Sequence, residues 1–140
     1  MNKFFLNLGK QPLANNYLKF YKKNQNKYNL KLFFNTKNKM VSISKRIPSE
    51  KMFTNNYPYR SSMSKTMTKS LNNLSKLIIK KFKPKKLLEI GSNDGSFIKN
   101  FSKNKVIGIE PCANVEKITR KMGFHTYPNY WNLKTALKIL

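Results

Sequence analysis

The stretch Lys86-Leu87-Leu88-Glu89-Ile90-Gly91-Ser92-Asn93-Asp94-Gly95-Ser96-Phe97 constrains this chain more than any other. An apolar run stops at a short glycine-bounded turn, and Phe97, Ile98 and Phe101 then follow at helical spacing. A second apolar run, Val106-Ile107-Gly108-Ile109, is closed by Glu110-Pro111. Strands are expected over 86–90 and 105–109, with a helix between them. Strand, glycine turn, helix and acid-terminated second strand is the layout of a nucleotide-binding α/β unit.

The turn itself narrows the ligand. A helix amino terminus after a strand offers free backbone N–H groups, and glycines admit close approach and positive φ. Here the pattern is Glu-x-Gly-x-Asn-x-Gly, with Asn93 where a dinucleotide fingerprint wants its second glycine and Ser96 interrupting the remainder. Asparagine tolerates left-handed geometry. Glu89 and Asp94 beside a pyrophosphate are electrostatically awkward. An acid two residues before the first glycine suits a ligand that carries a cation, and S-adenosylmethionine has an ammonium, a sulfonium and no phosphate. Glu110 is then placed to accept the ribose hydroxyls. The plainer alternative is a generic strand-to-helix turn with capping acids.

Charge sharpens the point. The 140 residues carry 29 lysines and arginines against five acids, a formal charge of +24. Such a balance favours anionic partners, nucleic acid among them. Yet the cations form no single block and no nucleic-acid motif accompanies them, which is also the signature of compositional drift. The acids are Glu50, Glu89, Asp94, Glu110 and Glu116, and three of them fall in the turn or at the tip of the next strand. The single cysteine, Cys112, excludes a disulfide framework and a cysteine-based metal cluster. No apolar run approaches the ~20 residues that span a bilayer, and the apolar part of the amino terminus is too short for a secretory signal. A reducing, cytoplasmic setting without membrane contact is expected.

Residues 1–60 read as a small β-rich module with a thin core. Phe4–Leu8 is a strand candidate ended by Gly9, Tyr28–Phe34 and Met40–Ser44 alternate as strands do, and 35–39 is a turn. Ile47–Phe53 suggests a short helix, and 55–64 is a polar connector. From Ser64 to Phe82, Met67, Leu71, Leu74, Leu77, Ile78 and Phe82 recur at threes and fours, an amphipathic helix stopped by Lys83-Pro84. Beyond the second strand, a helix over 113–122 ends at Gly123, a weak third strand covers 125–127, and another helix starts at Asn132.

Three blocks of the chain resemble the sugar C-methyltransferases that act on nucleotide-linked deoxyhexoses. The blocks are Phe5–Leu18, Ile47–Ser64 and Leu88–Gly95 with Gly108–Pro111. The resemblance implies a class I fold dependent on S-adenosylmethionine, preceded by a zinc-binding module, so that 61–140 is the first half of the methyltransferase domain. It implies that Glu89, Gly91, Ser92, Asn93, Asp94, Gly95, Glu110 and Pro111 form the cofactor site. Tyr57, Tyr59 and Ser62 match a connector that faces the cleft; packing between modules is the other reading of those tyrosines. Two departures stand out. Asn35 and Asn38 occupy a Cys-x-x-Cys spacing, and amides are poor substitutes for thiolates at structural zinc, so no metal is expected. About three strands of a seven-stranded sheet are present, so a truncated or split enzyme is expected, with a separately encoded carboxy-terminal half as partner and the acid–base residues beyond Leu140. His125, the one histidine, reads as a surface residue. A non-catalytic remnant or binding module, and a basic nucleic-acid-binding protein, are the competing readings.

Overall fold

The computed structural model describes residues 1–139, in two compact units that divide at Met52/Phe53. The division expected near residue 60 therefore lies earlier. Residues 57–62 belong with the second unit because they hydrogen-bond to Asn93, Asp94 and Asn114 there.

In the first unit, β1 (Asn2–Pro12), β2 (Lys27–Asn35) and β3 (Val41–Ile43) form an antiparallel sheet in the order β1-β2-β3. β1 does not end at Gly9. Its register slips between Phe4 and Leu6 and again between Asn7 and Lys10, and Gly9 supplies a φ of 71° inside the second irregularity. The β2–β3 turn is held by the two asparagines at the cysteine spacing. Asn35 Oδ1 accepts the backbone N–H groups of Lys37 (2.9 Å) and Asn38 (3.1 Å), and Asn38 Oδ1 accepts that of Met40 (3.1 Å). A short helix, α1 (Ser49–Met52), closes the unit. Among the described residues none of Met1–Met52 is buried, the thin core that so short a segment allows.

The second unit is a fragment of α/β structure built on a parallel sheet. α2 (Lys65–Phe82) begins where the Ser64 hydroxyl accepts the Met67 N–H, 3.1 Å away. It ends at Lys83, whose φ of 45° is left-handed. Leu71 and Ile78 pack against the core, whereas Met67, Leu74, Leu77 and Phe82, expected on the same buried stripe, are exposed. β4 (Leu87–Ile90), β5 (Val106–Ile109) and β6 (His125–Tyr127) form a parallel sheet in the order β4-β5-β6. α3 (Ala113–Lys121) connects β5 to β6, and α4 (Leu133–Ile139) follows, with Asn132 Oδ1 accepting the Thr135 N–H. The core is Phe97, Ile98, Val106 and Phe124.

One expected element is missing among the described residues. Between β4 and β5 there is no α-helix, only 3-10 turns at Ile98–Asn100 and Lys103–Lys105. The Asn100 amide donates back to the Ser96 and Phe97 carbonyls, competing for the groups a helix would use. No helix among the described residues is long and apolar enough to cross a membrane. The architecture is α/β, a parallel sheet with its helices in one unit and an antiparallel sheet in the other.

Candidate functional site

Open α/β sheets bind ligands outside the carboxyl ends of their strands, and the second unit draws its strand ends tightly together. Gly91 and Ser92 both donate backbone N–H to the Ile109 carbonyl, at 2.8 and 3.0 Å, and Glu110 N–H donates to the Tyr127 carbonyl at 3.0 Å. Gly91 has a φ of 75° and no heavy atom within 4 Å of where a Cβ would stand. It opens onto a cavity of about 190 Å³ with Glu110 and Pro111 beside it and Phe53, Tyr130 and Trp131 as aromatic walls. The Tyr130 hydroxyl donates to the Phe53 carbonyl at 3.0 Å, which fixes one wall against another.

Glu110 is buried, and each of its oxygens already accepts a backbone N–H. Oε2 takes that of Asn93 at 2.9 Å and Oε1 that of Cys112 at 2.8 Å. A carboxylate has about four lone-pair sites, so about two remain for a ligand. Glu110 is thus both the clamp of the turn and a candidate ligand contact.

The rest of the turn divides by task. Asn93 has the left-handed conformation its residue type allows (φ 49°), and its side chain points to the connector. Its Oδ1 accepts the Ser61 N–H at 2.8 Å and its Nδ2 donates to the Tyr59 carbonyl at 3.3 Å. Asp94 is buried and accepts the Ser62 N–H at 3.0 Å and the Ser96 hydroxyl at 2.6 Å. Burial alone raises its carboxyl, but these hydrogen bonds outweigh it and hold Asp94 below the ordinary value. Gly95 packs inward: a Cβ there meets Met122 Cε at 2.8 Å and Thr119 at 3.1 Å, so this glycine serves the contact with α3. Ser92 lies buried across from Gly108, and its hydroxyl has no partner.

Glu89 sits beneath the turn instead of lining the cavity. Burial pushes its carboxyl up to about 8; the Ile98 N–H it accepts pulls the other way, and Asp94 and Glu110 add to the rise. Its Oε2 is buried without a hydrogen-bond partner. Such an orphaned oxygen is costly unless protonated or matched by a cation. Burial also pushes the Cys112 thiol up to about 12, with Glu110 adding to the shift, so this thiol is not a nucleophile at neutral pH.

Of the connector residues, Tyr57 is half-buried and paired with Asn114, its N–H donating to Oδ1 at 3.2 Å and its carbonyl accepting Nδ2 at 2.8 Å. Tyr59 reaches the turn through its carbonyl, and Ser62 reaches Asp94 through both its side chain and its N–H. None of the three lines the aromatic cavity. A second cavity, of about 550 Å³, lies along α3 and is bounded by Asn55, Asn56, Arg60, Asn114, Lys117 and Lys121. His125 is exposed at the amino-terminal end of β6, away from the strand tips. Among the described residues no three His, Cys, Asp or Glu side chains gather as metal ligands would.

Sequence reasoning missed Phe53, Tyr130 and Trp131. The signal available was the pair Tyr130-Trp131 just past the third strand, at the end of the sheet where ligands bind. No protein-family model and no curated protein sequence matches the chain.

Proposed function

We propose that the second unit binds S-adenosylmethionine at the Gly91–Glu110 cavity, as the cofactor site of a class I methyltransferase. The observation that carries the reading is the open Gly91 beside an acid-tipped β5, facing an aromatic wall. A nucleoside fits that arrangement: aromatic faces for a base, spare Glu110 lone pairs for ribose hydroxyls, and a glycine that lets the ligand approach the backbone. Two further observations disfavour a phosphate-bearing cofactor. Two carboxylates, Asp94 and Glu110, converge on the turn, and among the described residues no α-helix directly follows it to direct its amino terminus at an anion.

When bound, the cofactor supplies a methyl group on a good leaving group, so the chain's part is largely alignment and exclusion of water. Gly91 and Pro111 shape the cavity, Glu110 orients the sugar, and Phe53, Tyr130 and Trp131 cover the base. The acceptor class we infer is a nucleotide-linked deoxyhexose. Arg60, Lys117 and Lys121 bound the neighbouring cavity with three asparagines, a donor set suited to a diphosphate. The described residues offer no obvious proton acceptor for a carbon substrate, since Glu110 holds two N–H groups and His125 lies elsewhere. That favours, as a second reading, a module that binds the cofactor without turning it over. Calorimetric titration and thermal unfolding with S-adenosylmethionine test the proposal. A saturable rise in Tm that is absent in Glu110→Ala is expected, and no binding at millimolar cofactor overturns it.

A further inference from the structure

The cations of the first unit are not spread evenly. Six of its twelve lysine and arginine residues, Lys10, Lys27, Lys31, Lys45, Arg46 and Lys51, line one cavity of about 740 Å³. Strand periodicity explains the floor. Lys27, Asn29, Lys31 and Phe33 alternate along β2 and so share one face, with Lys10 brought opposite Asn29 by the β1–β2 register. Residues 44–48 and Lys51 form the wall. No carboxylate lines the cavity, and Glu50 is the only acid of Met1–Met52. Drift would scatter such charges over the surface. Gathering six around a concavity raises their mutual repulsion, which an anionic occupant relieves.

The β1–β2 connection adds a second feature. It leaves the sheet at the Pro12–Lys27 pair, of which Lys27 lines this cavity, and carries Tyr17, Phe20 and Tyr21 at 78%, 84% and 90% exposure, interleaved with Lys19, Lys22 and Lys23. Aromatic rings held in solvent among cations are stacking platforms for unpaired bases.

We infer that the first unit binds single-stranded nucleic acid, its phosphates in the Lys10–Lys27–Lys31–Lys45–Arg46–Lys51 cavity and its bases against Phe20 and Tyr21. The site is independent of the cofactor cavity and does not rest on the methyltransferase reading.

The test uses the full chain and a labelled oligouridine of about 20 nucleotides, titrated from low salt to about 0.3 M. The triple variant Lys27→Gln, Lys31→Gln, Lys45→Gln is expected to weaken binding at least about tenfold near 0.15 M salt and to reduce the log–log salt slope by about 2. Lys69→Gln, Lys76→Gln, Lys80→Gln on the exposed face of α2 removes the same charge and is expected to change affinity less than about threefold. Phe20→Ser with Tyr21→Ser is expected to weaken binding without changing the slope. Equal losses in the two lysine triples would overturn the inference, as they would mark diffuse attraction to a +24 chain. So would tighter binding to a duplex of the same length, to phosphatidylserine vesicles or to polyglutamate than to the oligouridine. Circular dichroism of each variant separates loss of binding from loss of the sheet.

Discussion

Glu110 accepts the backbone N–H of Asn93 at 2.9 Å, and so ties the tip of β5 to the left-handed residue of the glycine turn. The same carboxylate takes the Cys112 N–H, which makes it the common acceptor of two loops that are distant in sequence. Removing it strands two buried donors at once. Glu110→Ala is expected to cost about 2–4 kcal/mol, visible as a lowered Tm, and to abolish any cofactor-induced shift. Glu110→Gln keeps an acceptor for one N–H and turns an NH₂ toward the other, so its Tm should fall between those of the parent and the alanine variant. A glutamine variant as stable as the parent would show that the carboxylate charge does not hold the turn.

The raised Glu89 carboxyl makes stability depend on pH. Its pKa is about 8 in the folded chain against an ordinary value of 4.5. Between those values the folded state holds a proton that the unfolded state has released, so stability falls as pH rises through that window, by at most about 1.4 kcal/mol per pH unit. Glu89→Gln should flatten that slope, raising Tm above the parent's at pH 8. Thermal scans from about pH 5.5 to about 8.5 measure it. Parallel slopes in parent and variant would remove Glu89 from the account.

Much of this was legible in the chain. The Leu87–Ile90 and Val106–Ile109 runs, the acid at 110 and the left-handed tolerance of Asn93 each predict what forms, because strand periodicity and turn chemistry are local. The crossover was not legible in the same way. Phe97, Ile98 and Phe101 have helical spacing, but Asn100 diverts its amide to the preceding carbonyls and 3-10 turns form instead. The burial of Glu89 could not be read either. An acid before a glycine turn can face the ligand or lie beneath the turn, and here Glu89 accepts the Ile98 N–H, a contact made only in the folded chain. Nor could the gathering of Lys10, Lys31 and Arg46, which lie far apart along the chain and meet only through the sheet and the segment that follows it.

Gly91 and Gly95 have nearly the same φ, 75° and 78°, and opposite surroundings. An alanine at 91 meets no heavy atom within 4 Å and carries only the left-handed strain, roughly 1–2 kcal/mol. At 95 the same methyl strikes Met122 and Thr119 and adds about 1–3 kcal/mol of overpacking. Gly95→Ala should therefore lower Tm the more. Gly91→Ala should do the greater harm to cofactor binding, because its methyl enters the cavity. Reversal of that order in paired thermal and calorimetric measurements would place the ligand elsewhere.

Lys83 offers a gain in place of a loss. It ends α2 with φ 45° and ψ 53°, its N–H bonded to the Ile79 carbonyl, in the conformation that glycine adopts without penalty. Its side chain, like those of Lys80 and Lys81 in the preceding turn, favours the negative end of the helix, an effect of about 0.3–1 kcal/mol at most. Left-handed strain for a residue with a Cβ is larger, roughly 1–2 kcal/mol, although glycine returns part of that through its freer unfolded state. The balance predicts that Lys83→Gly stabilises the second unit by a few tenths of a kcal/mol up to about 1 kcal/mol. Lys83→Asn should fall between glycine and lysine. Both are measured by urea unfolding, where the midpoint should rise with the slope unchanged. A lowered midpoint for Lys83→Gly would mean that the lysine's charge at the helix end outweighs its backbone strain.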